Sequence, residues 1–314
     1  MSARGKILVI RGGAIGDFIL TLPVFSALRA QFPEAHLEVL GYSHIANLAL
    51  LGGLVEQVRS IESRPLAGFF ARGGKLSEEL QEYFSSFAVI ISYLYDPDKI
   101  FQTNVLLCTK AQFLAAPHRP DETQNAPAAL TFLKPLERLA IFTTNPIPRL
   151  LPPGNLPLTE NRIAVHPGSG SPKKNWPETK WAELLEKLLR ETDAKILLVG
   201  GEAEGSRLNT LSKNLPAHRI EMAENLPLVE LAPLLQRSRV FIGHDSGISH
   251  LAAAVGLPGL ILWGETRLEI WRPPQAQIQI LRHDQGLPHI ETEEVLTELK
   301  KILETNPTGD RPLF

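Results

Sequence analysis

The 314-residue sequence contains a single cysteine, Cys108. One thiol permits neither a disulfide framework nor a cysteine-based metal site, and it fits a reducing, cytoplasmic address. Neither sign of charge is in excess: 32 Lys and Arg stand against 34 Asp and Glu, a formal net charge of −2. With no global positive field, a nucleic acid would have to be gripped by a local patch, and no nucleic-acid partner is expected. Long apolar runs are also missing. The run Ile7 to Ile10 stops at Arg11, too short for a signal peptide, and the longest stretch, Leu251 to Gly264, is broken by Gly256, Pro258 and Gly259. Both fall short of the roughly 20 apolar residues that span a membrane. The histidines do not cluster at metal spacing, since His244 and His250 are six apart, as are His283 and His289. No metal is expected on these grounds. There is no solenoid-period repeat and no low-complexity tract.

What is present is an ordinary globular composition, 44% apolar and 21% charged, in a chain long enough for about two domains. Lys6 to Ile10 reads as a strand, the following glycines as a tight turn, and Asp17 to Gln31 as a helix with Phe18, Leu22, Phe25 and Leu28 on one face. Further short apolar runs at His36–Leu40, Phe87–Tyr93 and Ala111–Leu114 give the rhythm of a parallel α/β sheet. The pattern restarts with strands at Arg162–His166, Ala194–Val199, Arg239–Ile242 and Pro258–Leu262. Helices are expected near Pro177–Glu191, Leu228–Gln236 and Gly247–Val255. Between them Pro146, Pro148, Pro152, Pro153 and Pro157 forbid regular helix. The expected layout is therefore a Rossmann-like domain over 1–145, a linker over 146–160 and a second Rossmann-like domain over 161–290. A C-terminal helix from Glu291 to Leu303 and a polar, mobile tail from Thr305 complete 291–314. Two such domains leave a cleft, and ligands of open α/β sheets bind beyond the carboxyl ends of the strands.

Three motifs fall at such ends. Arg11-Gly-Gly-Ala-Ile-Gly-Asp17 has Arg11 where a dinucleotide fingerprint needs its first glycine, and it lacks the Gly-Lys-Ser/Thr of a Walker loop. It presents Asp17 at the first turn of a helix, where the alternative is a carboxylate stabilised only by the backbone dipole. His166-Pro-Gly-Ser-Gly-Ser-Pro-Lys-Lys-Asn-Trp-Pro177 offers backbone N–H groups, hydroxyls and two lysines suited to a diphosphate, or else a solvated loop anchored by Trp176. Phe241 to Gly256 is a strand, a small-residue turn and a helix whose first N–H groups can hold an anion. The same segment admits a hydrolase elbow at Gly243-x-Asp245-x-Gly247, with His283 or His289 as partner. Asp96 and Asp98 have a spacing that can carry a divalent metal, and equally that of a turn.

Together these motifs resemble glycosyltransferase family 9, the heptosyltransferases. The resemblance rests on Gly16-Asp17 with Pro23, on His166 to Ser171 with Lys174 to Pro177, and on Gly243 to Ala254 followed by Gly264-Glu-Thr266. It runs from about residue 5 to residue 274 and departs at Glu265, where many members have proline. It implies a GT-B fold of two Rossmann-like domains, acceptor in the first and donor in the second. It also implies inversion at the anomeric carbon without a metal or cofactor, from a nucleoside-diphosphate sugar, ADP-sugar favoured. In that scheme Asp17 resembles the base. Ser169, Gly170, Ser171, Lys174, Ser246, Gly247, His250 and Thr266 line the donor. Asp245, itself an anion, orients the loop or contacts a sugar hydroxyl, and Glu204 resembles the acid that binds the donor ribose, the alternative being an exposed glutamate at a helix start. Leu226 and Leu228 line the base pocket or simply pack. Acceptor residues are not identified. Arg59, Arg64, Arg72 and Lys75 around Phe69-Phe70 face an anionic lipid-linked acceptor or the inner-membrane surface, or form a solvated loop.

The function expected from all of this is transfer of a sugar, heptose from ADP-heptose being the leading case, to a lipopolysaccharide-type or other cell-envelope glycan. The alternatives are a nucleotide-sugar epimerase or hydrolase on the same fold, a non-catalytic nucleotide-sugar binding protein and, disfavoured by Arg11, a nicotinamide dehydrogenase.

Overall fold

A computed structural model describes residues 5–142, 145–151 and 160–306. The chain folds as two compact units, Met1–Leu151 and Pro152–Phe314. In the first, five parallel strands, β1 (Lys6–Arg11), β2 (His36–Gly41), β3 (Gln57–Ser60), β4 (Val89–Ser92) and β5 (Gln112–Ala115), form a sheet in the order β3-β2-β1-β4-β5. The second has six, β6 (Arg162–His166), β7 (Lys195–Gly200), β8 (Ile220–Glu224), β9 (Val240–His244), β10 (Gly259–Leu262) and β11 (Ile278–Leu281), also all parallel, in the order β11-β10-β9-β6-β7-β8. Each sheet starts at its first strand, winds one way and then reverses. The reversal lies between β1 and β4 in one unit and between β6 and β9 in the other, the place where crossovers part and leave room for a ligand.

Helices cover both faces, which is why the central strands are apolar on both sides: β6 and β9 are buried throughout. In the first unit Leu8, Ile10, Phe69, Phe84 and Phe101 share one core. In the second, Trp176, Trp181, Leu184 and Leu188 pack with Val295, Leu299 and Ile302 of the helix Thr292–Thr305, so that helix belongs to the core of the second unit. Leu150, within the proline-rich stretch, is fully buried, and a Cβ on Gly52 would come within 2.7 Å of it. Pro152, Pro153 and Pro157 of the expected linker, and the tail from 307 onward, lie outside the described residues.

The periodic segment Asp17 to Gln31 is two helices, Ile15–Ile19 and Leu22–Gln31, rather than one. Pro23 carries no N–H for the carbonyl four residues back, and the chain instead closes a tighter turn from Thr21 N–H to the Phe18 carbonyl at 2.9 Å. The first helix is thereby reduced to a short pedestal for Asp17. No described helix is long and apolar enough to cross a membrane.

Candidate functional site

The carboxyl edge of the first sheet is built around Arg11, the last residue of β1. Its side chain is only 1% exposed, and its guanidinium lies 4.5 Å from the Phe132 ring and 5.5 Å from the Tyr93 ring. One Nη donates to the His118 carbonyl at 2.9 Å and the other to the Asp17 carbonyl at 3.2 Å, 3.7 Å from Asp17 Oδ1. Burial pulls the Arg11 pKa below its ordinary value while the Asp17 carboxylate opposes that shift, so the pairing helps keep a buried cation charged. Asp17 Oδ2 accepts from the Ala14 N–H at 3.1 Å, and the Asp17 side chain keeps 19% of its surface open. Gly13 lies at φ +97°, where a Cβ would also sit 3.0 Å from Asp17 Oδ2. Glycine is needed there on both counts. The mark that singled out Arg11 in the sequence, a lone charge ending an apolar strand, excluded a dinucleotide motif but did not disclose that the side chain turns inward to hold Asp17.

Asp96 and Asp98 diverge. Asp96 accepts from the N–H groups of Phe101 at 3.2 Å and Gln102 at 2.9 Å, closing the start of the helix Ile100–Leu106. Asp98 lies 3.7 Å from Arg72 on the surface. Their arrangement is that of a turn. Arg59 is committed to Glu79 and lies over the Tyr83 ring, whereas Arg64, Lys75 and Phe70 are exposed and Phe69 is buried.

In the second unit the loops after β6 and β9 meet at the reversal of strand order, and two buried histidines join them. His244 Nε2 accepts from the Trp176 N–H at 2.8 Å, which leaves Nδ1 to donate to the Gly168 carbonyl at 3.2 Å. Burial lowers its pKa to about 4, so it is the neutral ring that ties the two loops. His166, lowered to about 3 by burial and by the neighbouring His244 and Arg207, has Nδ1 3.3 Å from Ser246 Oγ. Ser246 caps the helix Gly247–Ala254 by accepting from the Ser249 N–H, and the Ser249 hydroxyl donates to the His244 carbonyl. The turn is thus fixed before any anion reaches the N–H groups at the helix start.

Lys174 Nζ sits 2.7 Å from Asp245 Oδ2, with the lysine 39% exposed and the aspartate 9%. Asp245 therefore positions a cation at the rim, while His283 and His289, the histidines weighed as elbow partners, stack on each other at 5.6 Å. Ser169 is buried, its Oγ within 2.8 Å of the Ser171 carbonyl and Asn175 Oδ1, and it fixes the loop from within. Gly170 is exposed, and Ser171, Ser246 and Gly247 are half-buried, leaving these at the surface of the site. His250 is buried, and Thr266 is half-exposed with its carbonyl accepting from Trp263 Nε1 at 2.7 Å. Glu204 is not the exposed helix-start residue that was the alternative for it: its side chain is 5% exposed and Oε2 accepts from the Gly201 N–H at 2.6 Å. A Cβ on Gly168 would lie 1.9 Å from Glu204 Oε1, so glycine alone admits this carboxylate. Leu228 is buried and Leu226 half-buried.

Comparison with known proteins agrees with this architecture. The sequence model of glycosyltransferase family 9 (heptosyltransferase) matches residues 137–300. Lipopolysaccharide heptosyltransferase 3 of Escherichia coli is 23% identical over 341 residues, covering 94% of this chain and 98% of that protein. A family 9 glycosyl transferase from Veillonella parvula superposes with a TM-score of 0.79 at 18% identity, covering 97% of this chain and 99% of the other. The ADP-heptose lipopolysaccharide heptosyltransferase II of E. coli gives 0.77 at 19%, covering 96% and 99%. The fold is that of these GT-B enzymes, and the chain belongs to glycosyltransferase family 9, the heptosyltransferases.

Proposed function

We propose that the second unit holds a nucleoside-diphosphate sugar, ADP-heptose in the leading case, and that Asp17 is the base of an inverting transfer to a cell-envelope glycan. The acceptor O–H gives its proton to an Asp17 oxygen as that hydroxyl oxygen bonds to the sugar C1. On the opposite side the bond from C1 to the diphosphate oxygen breaks, and the electron pair leaves with the diphosphate. The observation that carries this reading is the partly open Asp17 carboxylate held at the strand-order reversal by the Ala14 N–H and buried Arg11. Negative charge grows on the departing diphosphate, and preorganised donors facing it lower the barrier. Lys174 steadied by Asp245, the Ser169–Ser171 loop and the N–H groups at Ser246 and Gly247 suit that task, with Thr266 toward the sugar and Glu204 toward the ribose.

His250, buried in the helix Gly247–Ala254 that follows this turn, belongs to the donor site in the same scheme. The positive charge at the rim makes a metal unnecessary to the proposed step, an expectation that EDTA tests directly. Exposed Phe70 between Arg64 and Lys75 suits peripheral contact with an anionic membrane, which vesicle co-sedimentation measures.

The deciding experiment is turnover of ADP-heptose with a deacylated lipopolysaccharide core oligosaccharide lacking its outer heptose, in the presence and absence of EDTA. EDTA-insensitive, acceptor-dependent release of ADP with an inverted product supports the reading. Donor consumption independent of acceptor points instead to an epimerase or hydrolase, and donor binding without any consumption to a non-catalytic binding protein.

A further inference from the structure

A base can take a proton only from a hydroxyl that something else holds in place, and beside Asp17 stands an aromatic pair that the scheme above leaves unused. Tyr95, in the loop that leaves β4, is 72% exposed. Its ring meets that of His118, in the loop that leaves β5, at 4.8 Å between centroids and an angle of 59°. Strand β4 lies next to β1, so the Tyr95 loop and the Asp17 turn flank the reversal of strand order in this unit. The His118 loop and the Asp17 turn are physically joined, because the Arg11 guanidinium donates to the carbonyls of both His118 and Asp17. The Asp17 charge also reaches the imidazole: burial, Arg119 and Arg11 hold the His118 pKa below its ordinary value, and Asp17 acts against them.

A tyrosine ring this open to water, propped on a second ring and set among polar neighbours, suits a ligand that is apolar on one face and polar at its edge. A pyranose fits that description. Its axial C–H groups would lie over the Tyr95 ring while its hydroxyls reach toward the His118 imidazole and the Asp17 carboxylate. A purely apolar ligand would strip water from the partly open Asp17 carboxylate and offer it no hydrogen bond in return. We propose that Tyr95 and His118 are the platform for the acceptor's sugar ring, the one that presents its hydroxyl to Asp17. This assignment rests on Asp17 being the base.

The test is binding of a deacylated lipopolysaccharide core oligosaccharide to the full chain, followed by saturation-transfer NMR and by titration, with ADP binding measured alongside. In the wild type the sugar C–H protons receive saturation. Tyr95→Ala weakens the oligosaccharide roughly tenfold, the value of one aromatic stacking contact, while Tyr95→Phe stays near wild type. ADP affinity and melting temperature hold in both, since Tyr95 is exposed and lies outside the donor unit. His118→Ala weakens the oligosaccharide as well. Wild-type affinity in both alanine variants overturns the platform, and so does failure of the wild type to bind the oligosaccharide at millimolar concentration. Asp17→Asn separates this inference from the one beneath it. It should bind the oligosaccharide and transfer nothing; if it transfers at the wild-type rate, the base assignment falls while the Tyr95 titration still judges the platform.

Discussion

Arg11 Nη2 lies 3.7 Å from Asp17 Oδ1, a nearly buried cation beneath a partly open carboxylate. The pair is asymmetric. Water can still reach Asp17, whereas Arg11 depends on its carbonyl acceptors, on two aromatic rings and on this one anion. Arg11→Met should therefore cost stability mainly through the orphaned His118 carbonyl, about 1–3 kcal/mol, since the Asp17 carbonyl keeps the Thr21 hydroxyl at 2.8 Å, and less through the ion pair because Asp17 remains solvated. It should also lower kcat more than it raises the donor KM, since it frees the base and leaves the second unit untouched. Urea unfolding and steady-state kinetics measure the two effects. Arg11→Lys keeps the charge but not the fork, and intermediate values are expected for it. Unchanged kcat in Arg11→Met would show that Asp17 needs no brace.

Lys174 and Asp245 make the corresponding pair in the second unit, but with the solvent exposure reversed. The lysine is the open partner, so the pair contributes little to folding and serves to aim Nζ. Lys174→Ala should weaken ADP binding about tenfold or more, the value of a charge-assisted hydrogen bond, with a melting temperature close to wild type. Asp245→Asn should weaken it less, because the lysine keeps its charge and loses only its aim. Calorimetric titration with ADP in EDTA decides. Equal affinity in wild type and Lys174→Ala would remove Lys174 from the diphosphate site.

Much of this was legible in the sequence, and the exceptions have physical causes. Central strands such as Arg162–His166 are buried on both faces, so their apolar runs are unmistakable. The strands Gln57–Ser60, Ile220–Glu224 and Ile278–Leu281 each pair on one side only and are largely half-exposed. They carry polar residues and show no such run. Loops placed after strands were recognisable by their glycines and by the resemblance they carry. The tasks of Arg11, His166 and His244 were not, because each depends on a partner 68 or more positions away and on the direction a buried side chain takes, as with His244 and the Trp176 N–H. Tyr95 and His118 belong to the same class, since nothing local in either loop announces the other ring.

Stability should fall between pH 7 and pH 5. His166 and His244 are held neutral, with folded pKa values of about 3 and about 4, while in the unfolded chain each binds a proton near the ordinary value of 6.5. As pH falls below 6.5 the unfolded state takes up protons that the folded state refuses, and unfolding is favoured. The contribution is fully present above 6.5 and is lost progressively as pH drops toward the folded values. Each histidine gives a slope approaching about 1.4 kcal/mol per pH unit in that window. Denaturant titrations at several pH values measure it. His166→Gln should flatten the curve by about half, and a wild type equally stable at pH 7 and pH 5 would mean that these rings are not held neutral.

Glu204 and Gly168 give the sharpest test of donor recognition, because one residue exists in its observed position only by permission of the other. With a Cβ at position 168 standing 1.9 Å from Glu204 Oε1, Gly168→Ala must displace the carboxylate. If Glu204 accepts from the ribose hydroxyls, the wild type should prefer ADP over its 2′,3′-dideoxy analogue by about tenfold or more, since a carboxylate built to accept those hydrogen bonds is left unpaired without them. Gly168→Ala and Glu204→Ala should then bind both nucleotides alike, with ADP falling to the level of the analogue. The comparison is internal to each variant, so a general weakening of the loop does not imitate the result. Retained discrimination in Glu204→Ala would assign the ribose to another residue, and retained discrimination in Gly168→Ala alone would mean that the carboxylate tolerates the displacement and still reaches the hydroxyls.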